Sequence, residues 1–373
     1  MKKIVIYSKR KRISKIQKKK KVNKTYLINR YFTKKNKVQR LIIKLIIIIV
    51  LLITILKLFY FKTKLKIQDN NNNINYENEI NNYNIYDFEN KTFAILRKEC
   101  STCGLFSFYI YFLGCANIYI NKGYIPIIDL KSYPNMYNNF SSSYNYTNPW
   151  EYFYEQPYGY TLELVLNKTT NIQYFDCKGE DNRPSETQIF YNKILINYWH
   201  ILAINFLPIK RELIIKSNII WKELFKDSNN VLGVKIRGTD YISVKPKYHP
   251  ISPTVENAIM DVKNMNTKYK YDYIFFASED EKIKEKFIKE FKDNIKYLNP
   301  DIRINYDYNS KKFFTAQKDV IGNIDYAQNY IINIYILTKC IDIVMTRGSG
   351  AAGIIIFTKG FRHSLIYNLG ENP

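Results

Sequence analysis

The chain has 373 residues, 46% hydrophobic and 24% charged, enough for two domains of ordinary size and too apolar for disorder throughout. Its net charge of +24 suggests a nucleic-acid binder only until the charge is located. No Asp or Glu precedes Asp69 while 22 of the 57 Lys and Arg do, and removing those 22 leaves 35 basic against 33 acidic residues. A folded face that tracks phosphates needs its excess inside a domain, which argues against specific nucleic-acid binding, and five Cys are too few for a disulfide scaffold.

Residues 1–40 hold 17 Lys or Arg and no acid, and residues 41–61 form an apolar run broken by Lys44, Thr54 and Lys57. The run reads as one membrane helix. Its uncharged centre is short for a hydrocarbon core of ~30 Å, but both Lys side chains can snorkel outward, and the full stretch then spans the core at ~1.5 Å per residue. A signal peptide fits less well, because the basic region before the run is too long and no small-residue cleavage site follows. The charge asymmetry leaves the tail in the cytoplasm and sends the remainder across, a single-pass type II arrangement contacting lipid through 41–61. The host membrane would be the Golgi in a eukaryote and the inner or plasma membrane in a bacterium. Residues 62–90 read as a stem: nine of the sixteen residues from Asn70 to Ile85 are Asn, too polar to offset chain entropy by burial.

The folded part divides into two α/β domains, over 91–225 and 226–373. In the first, Thr92–Leu96 predicts a strand, a loop with Cys100, Cys103 and Gly104 follows, then an apolar helix to Ile120 and a strand over Tyr124–Asp129. Tyr133–Tyr160 reads as an ordered excursion over the sheet edge, carrying Asn148-Pro149-Trp150-Glu151-Tyr152. Helices are expected over Ile189–Leu207 and Ile209–Phe225. The second unit begins with a strand at Val231–Arg237, followed by a polar loop and a helix from Pro253 or Thr254. A strand at Tyr271–Ala277, a charged helix at Glu281–Phe291, a helix at Asp325–Lys339 and a strand at Ile341–Thr346 come next. Gly348–Gly353 reads as a turn into an apolar helix, and Leu365–Asn368 as a last strand. Two alternating units imply parallel sheets, with ligand loops at the carboxyl ends of the strands.

Arg237 stands at the mouth of a predicted strand, where its planar fork matches a phosphate bidentately, and Gly238 lets the backbone approach a bulky ligand. An Arg-Gly-Thr-Asp loop can equally be a structural ion pair. Lys245-Pro246-Lys247, His249-Pro250-Ile251 and the strand end Ser278-Glu279-Asp280 supply context. Arg, Lys and helix N-termini can stabilise negative charge that develops on a leaving phosphate group, and the chain has no Asp-x-Asp pair. The acceptor hydroxyl needs a carboxylate base. Asp240, Glu279 and Asp280 are the candidates, each also readable as a strand-end carboxylate or loop cap.

Together these segments resemble the fucosyltransferase superfamily that includes the α1,6-fucosyltransferases and bacterial nodulation fucosyltransferases. They are more similar still to fucosyltransferase-like proteins of bacterial polysaccharide clusters. The resemblance covers 231–295 and 340–355, and more loosely 95–225. It implies a GT-B-like fold of two Rossmann-like α/β domains facing a cleft, GDP-fucose as donor, a glycan as acceptor, inversion, and no metal or other cofactor. Arg237 would bind the diphosphate and stabilise its departure. Donor contacts would come from Lys235, Arg237, Gly238, Thr239, His249, Ser278, Asp280, Ser349 and Gly350. Two positions depart from the pattern: Lys235 stands where the family has His, and Gly238 where it has a second Arg. The function expected is therefore a membrane-anchored glycosyltransferase, with an inactive carbohydrate-binding or scaffold ectodomain on the same fold as the alternative. Cys100 and Cys103 read as a local disulfide or two free thiols rather than a zinc site. His200 reads as a packing residue, and His363 as touching either solvent or ligand.

Overall fold

Phe93 to Leu96 are four successive apolar residues with no solvent exposure, the pattern of a strand covered on both faces, and they form β1 (Phe93–Arg97). The computed structural model describes residues 87–138, 148–177, 183–298, 306, 309, 322, 324–358 and 360–373. The basic tail, the anchor expected at 41–61 and nearly all of the stem lie outside them. Among the described residues no helix is long and apolar enough to cross a membrane.

β1 is followed by α1 (Leu105–Asn121) and β2 (Ile125–Asp129), as expected. After the excursion come α2 (Leu162–Lys168), started by the Thr161 side chain accepting from the Leu164 amide, and β3 (Ile172–Asp176). Sequence reading had not identified these two elements. β3 is an edge strand whose residues are half-buried or exposed, so it lacks an apolar run. The three strands form a parallel sheet in the order β2-β1-β3, with Arg97 in register with both Asp129 and Asp176. The excursion closes the free edge of β2: Asn148 Nδ2 and Gln156 Nε2 donate to Ile128 O, and Gln156 Oε1 accepts from Ile128 N. Glu151 Oε1 accepts from Gln156 Nε2 and the Leu162 amide, so the Asn-Pro-Trp-Glu-Tyr segment secures a sheet edge.

Helices α3 (Glu186–Ile189), α4 (Lys193–Phe206) and α5 (Arg211–Phe225) lead to the second sheet. Pro208 and Ile209 precede α5, with Ile209 in an isolated bridge to Tyr154, so α5 starts two residues later than the apolar run suggests. The second sheet contains β4 (Val231–Lys235), β5 (Tyr273–Ala277), β6 (Ile295–Lys296), β7 (Asp342–Thr346) and β8 (Ser364–Tyr367). All its pairings are parallel, in the order β6-β5-β4-β7-β8. Numbered along the chain this is 3-2-1-4-5, the doubly wound Rossmann order, whose switch point lies between β4 and β7. Its helices are the short α6 (Asp240–Ser243), then α7 (Val255–Tyr269), α8 (Glu281–Phe291), α9 (Ile324–Lys339) and α10 (Ser349–Phe357).

The Gly-Ser-Gly-Ala-Ala-Gly segment expected as a turn is mostly helix. Every residue of α10 after Ser349 is buried, and its small residues admit close neighbours: a Cβ on Gly353 would stand 2.3 Å from ring carbons of Phe106 on α1. One apolar core runs through α1, α4, α9 and α10 and touches both sheets, so the helix that begins at the β4/β7 switch point is fixed along its length. Two disulfides add to this. Cys100–Cys103 closes the loop before α1, and Cys115–Cys177 ties α1 to the residue after β3.

Candidate active site

β4, β5 and β7 end side by side, and the residues singled out in the sequence collect at that edge. The Arg237 guanidinium is mostly buried. Its Nη2 donates to Asp240 Oδ1 at 2.8 Å, and its Nε lies 2.9 Å from Glu279 Oε1 in an ion pair whose angle falls outside hydrogen-bond geometry. Burial alone would lower its pKa, but the facing Glu279 and Asp240 carboxylates raise it further, so the guanidinium stays charged. Its carbon stands 4.7 Å from the Tyr241 ring centroid, a cation–π contact. The Arg237 amide donates to Thr346 Oγ1 at 2.9 Å, tying the ends of β4 and β7 together.

Gly238 is required by close approach, since a Cβ there would stand 2.3 Å from Asp280 Oδ2. Asp280 in turn is committed to main-chain donors. Oδ1 caps α8 by accepting from the Lys282 and Ile283 amides, and Oδ2 accepts from the Thr239 amide at 2.9 Å. Thr239 has φ 48° and ψ −115°, a conformation that costs a β-branched residue about 1–3 kcal/mol and persists because Asp280 holds its amide. Asp240 is buried and accepts from both Arg237 and Thr239 Oγ1. Of the three carboxylates considered as bases, Glu279 alone lines the cavity beside the strand ends, a space of about 70 Å³ also bounded by Lys235, Ser278, Tyr326, Asn329 and Tyr330.

Lys235, the last residue of β4, is 95% buried as judged by its 5% residual exposure. Among the described residues its ammonium makes no hydrogen bond. Burial lowers its pKa; the Glu279 charge opposes that shift and the Arg237 charge adds to it. A Cβ on Gly350 would stand 3.1 Å from Lys235 Cε and 2.3 Å from Tyr330 Oη, so this glycine gives room where α10 begins. Gly348, at φ 132°, makes the turn from β7 into α10 without a side-chain cap, and Ser349 is the first helical residue. The Tyr241 hydroxyl lies 3.4 Å from where a Gly348 Cβ would be, so Tyr241 spans from Arg237 to the start of α10. The edge thus assembles the Arg237 cation, the buried Lys235 amine, an uncapped helix N-terminus and a cavity-facing carboxylate.

The structure brings together Lys235, Arg237, Gly238, Thr239, Asp240, Ser278, Glu279, Asp280, Ser349 and Gly350. It places His249 one layer back, its ring edge-on to Tyr241 at 5.5 Å. Sequence reading missed Tyr241, Tyr326 and Tyr330, which line or cover the site. Arg237 followed four residues later by Tyr241 was the available signal, obscured by 34 Tyr along the chain. His200 is a packing residue as expected, its Nδ1 2.7 Å from Ile356 O. His363 contacts neither the cavity nor the site residues. It stacks on Tyr269 and bonds to Asp342 at the opposite, amino-terminal edge of the sheet.

No protein-family model matches the chain, and no curated protein matches it. Solved structures do. The crystal structure of NodZ α1,6-fucosyltransferase soaked with GDP-fucose is similar with 12% identity and a TM-score of 0.39, over 72% of this chain and 93% of that chain. NodZ from Bradyrhizobium in selenomethionine form gives 12% identity and a TM-score of 0.40 over 76% and 100% of the two chains. POFUT1 in complex with GDP gives 9% identity and a TM-score of 0.43 over 74% and 99%.

Proposed function

We propose that the chain is a membrane-anchored glycosyltransferase that transfers fucose from GDP-fucose to a glycan hydroxyl, with inversion at the anomeric carbon. The observation that carries this reading is the mostly buried Arg237 guanidinium at the carboxyl ends of β4 and β7, linked through Tyr241 to the uncapped start of α10, where the Lys235 side chain also ends. A diphosphate seated there meets converging positive charge in a site of low dielectric. Glu279, facing the cavity, takes the proton from the acceptor hydroxyl. The oxygen attacks the anomeric carbon from the face opposite the diphosphate, the bond to the diphosphate breaks, and its growing charge is met by Arg237. Glu279 is also the counter-ion of Arg237, so an incoming phosphate competes with it for the guanidinium and leaves the carboxylate available as base. Side-chain and helix charge fill the place that a metal takes in other transferases.

The topology belongs to the same proposal. Residues 41–61 anchor the protein, and the folded part lies on the far side of the membrane. Two disulfides among the described residues suit an oxidising compartment. Titrating the full chain in detergent with GDP, GDP-fucose and UDP tests the reading: saturable heat with GDP and a weaker response to UDP is the expected result. The ion pairing of Arg237 with Asp240 and Glu279 also favours a second reading, an inactive scaffold whose buried charges hold a loop. That protein would give no heat with any nucleotide.

A further inference from the structure

Residues 368–372, after β8, were given no role by the sequence, yet they touch both loops that shape the anion cradle. On one side they run beside the 246–251 loop. The Tyr248 amide donates to Asn372 O at 3.0 Å, the Asn372 amide to His249 O at 2.9 Å, and the Ile251 amide to Gly370 O at 3.0 Å. Asn372 Nδ2 reaches Pro246 O at 3.3 Å. On the other side they hold Arg347, the residue between β7 and the Gly348 turn: Nη1 donates to Asn368 Oδ1 at 2.6 Å, and Nη2 lies 3.4 Å from Glu371 Oε1. Arg347 and Asn372 are both buried, while their partners Asn368, Gly370 and Glu371 lie at the surface.

The 246–251 loop carries His249, whose ring stands perpendicular to Tyr241. Tyr241 lies beneath the Arg237 guanidinium and reaches toward Gly348. A continuous chain of contacts thus runs from residue 372 through His249 and Tyr241 to Arg237, and a second from residue 368 through Arg347 to the start of α10. We propose that residues 368–372 are a strap that positions the anion cradle from both sides, and that His249 is a positioning residue acting through Tyr241 rather than a donor ligand. The proposal rests on the nucleotide reading for its consequence in binding, while its mechanical part stands without it.

Two measurements on the full chain separate these parts. In hydrogen–deuterium exchange, ending the chain at Asn368 speeds exchange of the Tyr248 and Ile251 amides, which lose their acceptors directly. The strap predicts faster exchange at Tyr241–Lys245 as well, and an unchanged rate there overturns it. Should the shortened chain fail to fold, Asn372→Pro removes the main-chain donor to His249 O and the Nδ2 donor to Pro246 O, and exchange at Tyr241–Lys245 is again the deciding readout. The second measurement is the GDP dissociation constant of His249→Ala and His249→Phe. Loss of the ring weakens GDP about fivefold, the size of one T-shaped aromatic contact, and Phe restores affinity to within about twofold because it keeps the perpendicular packing on Tyr241. A Phe variant as weak as the Ala variant would place His249 on the ligand and overturn its positioning role. Wild-type chain that binds neither GDP nor UDP removes the nucleotide reading, and the exchange rates at Tyr241–Lys245 still decide the strap.

Discussion

The two sheets present the same kind of edge, the carboxyl ends of parallel strands, and fill it differently. At the first, Arg97 pairs with Asp129 at 3.0 Å and stacks 4.1 Å over Tyr174, a half-exposed side chain, while Tyr133 reaches Asp176 from solvent. What fixes that edge is covalent: Cys177, directly after β3, is bonded to Cys115. At the second edge the charges are enclosed, and they are themselves the framework, with Arg237, Asp240, Glu279 and Asp280 holding a strained Thr239 between them. Solvated charges can be removed one at a time at small cost, whereas enclosed charges leave each other uncompensated. The contrast is the reason we propose the second edge, rather than the first, as the site of chemistry.

The largest stability effect is expected at the first edge. Opening Cys115–Cys177 by the double change to Ser releases a loop with a sequence separation of 62 and should cost about 4 kcal/mol in denaturant unfolding. Nucleotide affinity in the folded fraction should be unchanged; if it falls with stability, the two edges are not independent. Next is a buried charge at the opposite end of the second sheet. Asp342 accepts from Arg362, Tyr271 and the His363 amide. Burial would raise its pKa, but these donors outweigh burial and hold it below its ordinary 3.8. The native state then binds fewer protons than the unfolded chain, so the stabilisation is complete above about pH 3.8 and is lost as pH falls through the native value. Asp342→Asn should lower Tm at pH 7 and flatten the acid limb of a Tm-against-pH series, with nucleotide binding intact. An Asn variant with the wild-type acid limb would show that another carboxylate governs acid unfolding.

Asp280→Ala removes the α8 cap and the Thr239 tether together and should cost about 2 kcal/mol. Unlike the first two changes it should also weaken GDP, because the Arg237 loop loses its anchor. Thermal melts paired with titrations check this, and a destabilised variant of wild-type affinity would separate loop order from binding. Smallest is Arg97→Ala, expected to cost about 1 kcal/mol: Arg97 retains 29% exposure, and its buried partner Asp129 keeps the Lys131 and Ser132 amides and the Ser132 hydroxyl as donors. A larger loss in urea unfolding would make the first edge more than a solvated surface.

Apolar runs made β1, β2, β4, β5 and β7 legible in the sequence, since strands buried on both faces carry continuous hydrophobic residues. β3 was not legible because on this edge strand Gln173, Tyr174 and Asp176 are exposed and Ile172 and Phe175 only half-buried, which leaves no such run. The glycines of α10 pointed to a turn because intrinsic propensity was read without the close packing of Phe106 and Tyr330 that selects them. At the site, Arg237, Gly238, Glu279 and Asp280 were legible through their position at strand ends. Their division of labour was not, because it depends on which oxygen faces a main-chain amide and which faces the cavity. Cys115–Cys177 escaped notice because its partners lie on a helix and after an unrecognised strand.

The most direct test is nucleotide binding and thermal melting measured together on Arg237→Ala and Arg237→Lys. A bidentate, charge-assisted contact contributes about 1.5–3 kcal/mol to binding, and more as charge develops on a leaving diphosphate. Arg237→Ala should therefore lose GDP affinity by at least about tenfold and turnover by about a hundredfold, with the surviving chain still melting cooperatively. Arg237→Lys, which keeps the charge without the fork, should recover only part of each. If Arg237→Ala melts at a lower temperature while binding GDP as the wild type does, Arg237 holds the loop against Asp240 and Glu279 and nothing more, and the assignment of this edge to phosphate chemistry is wrong.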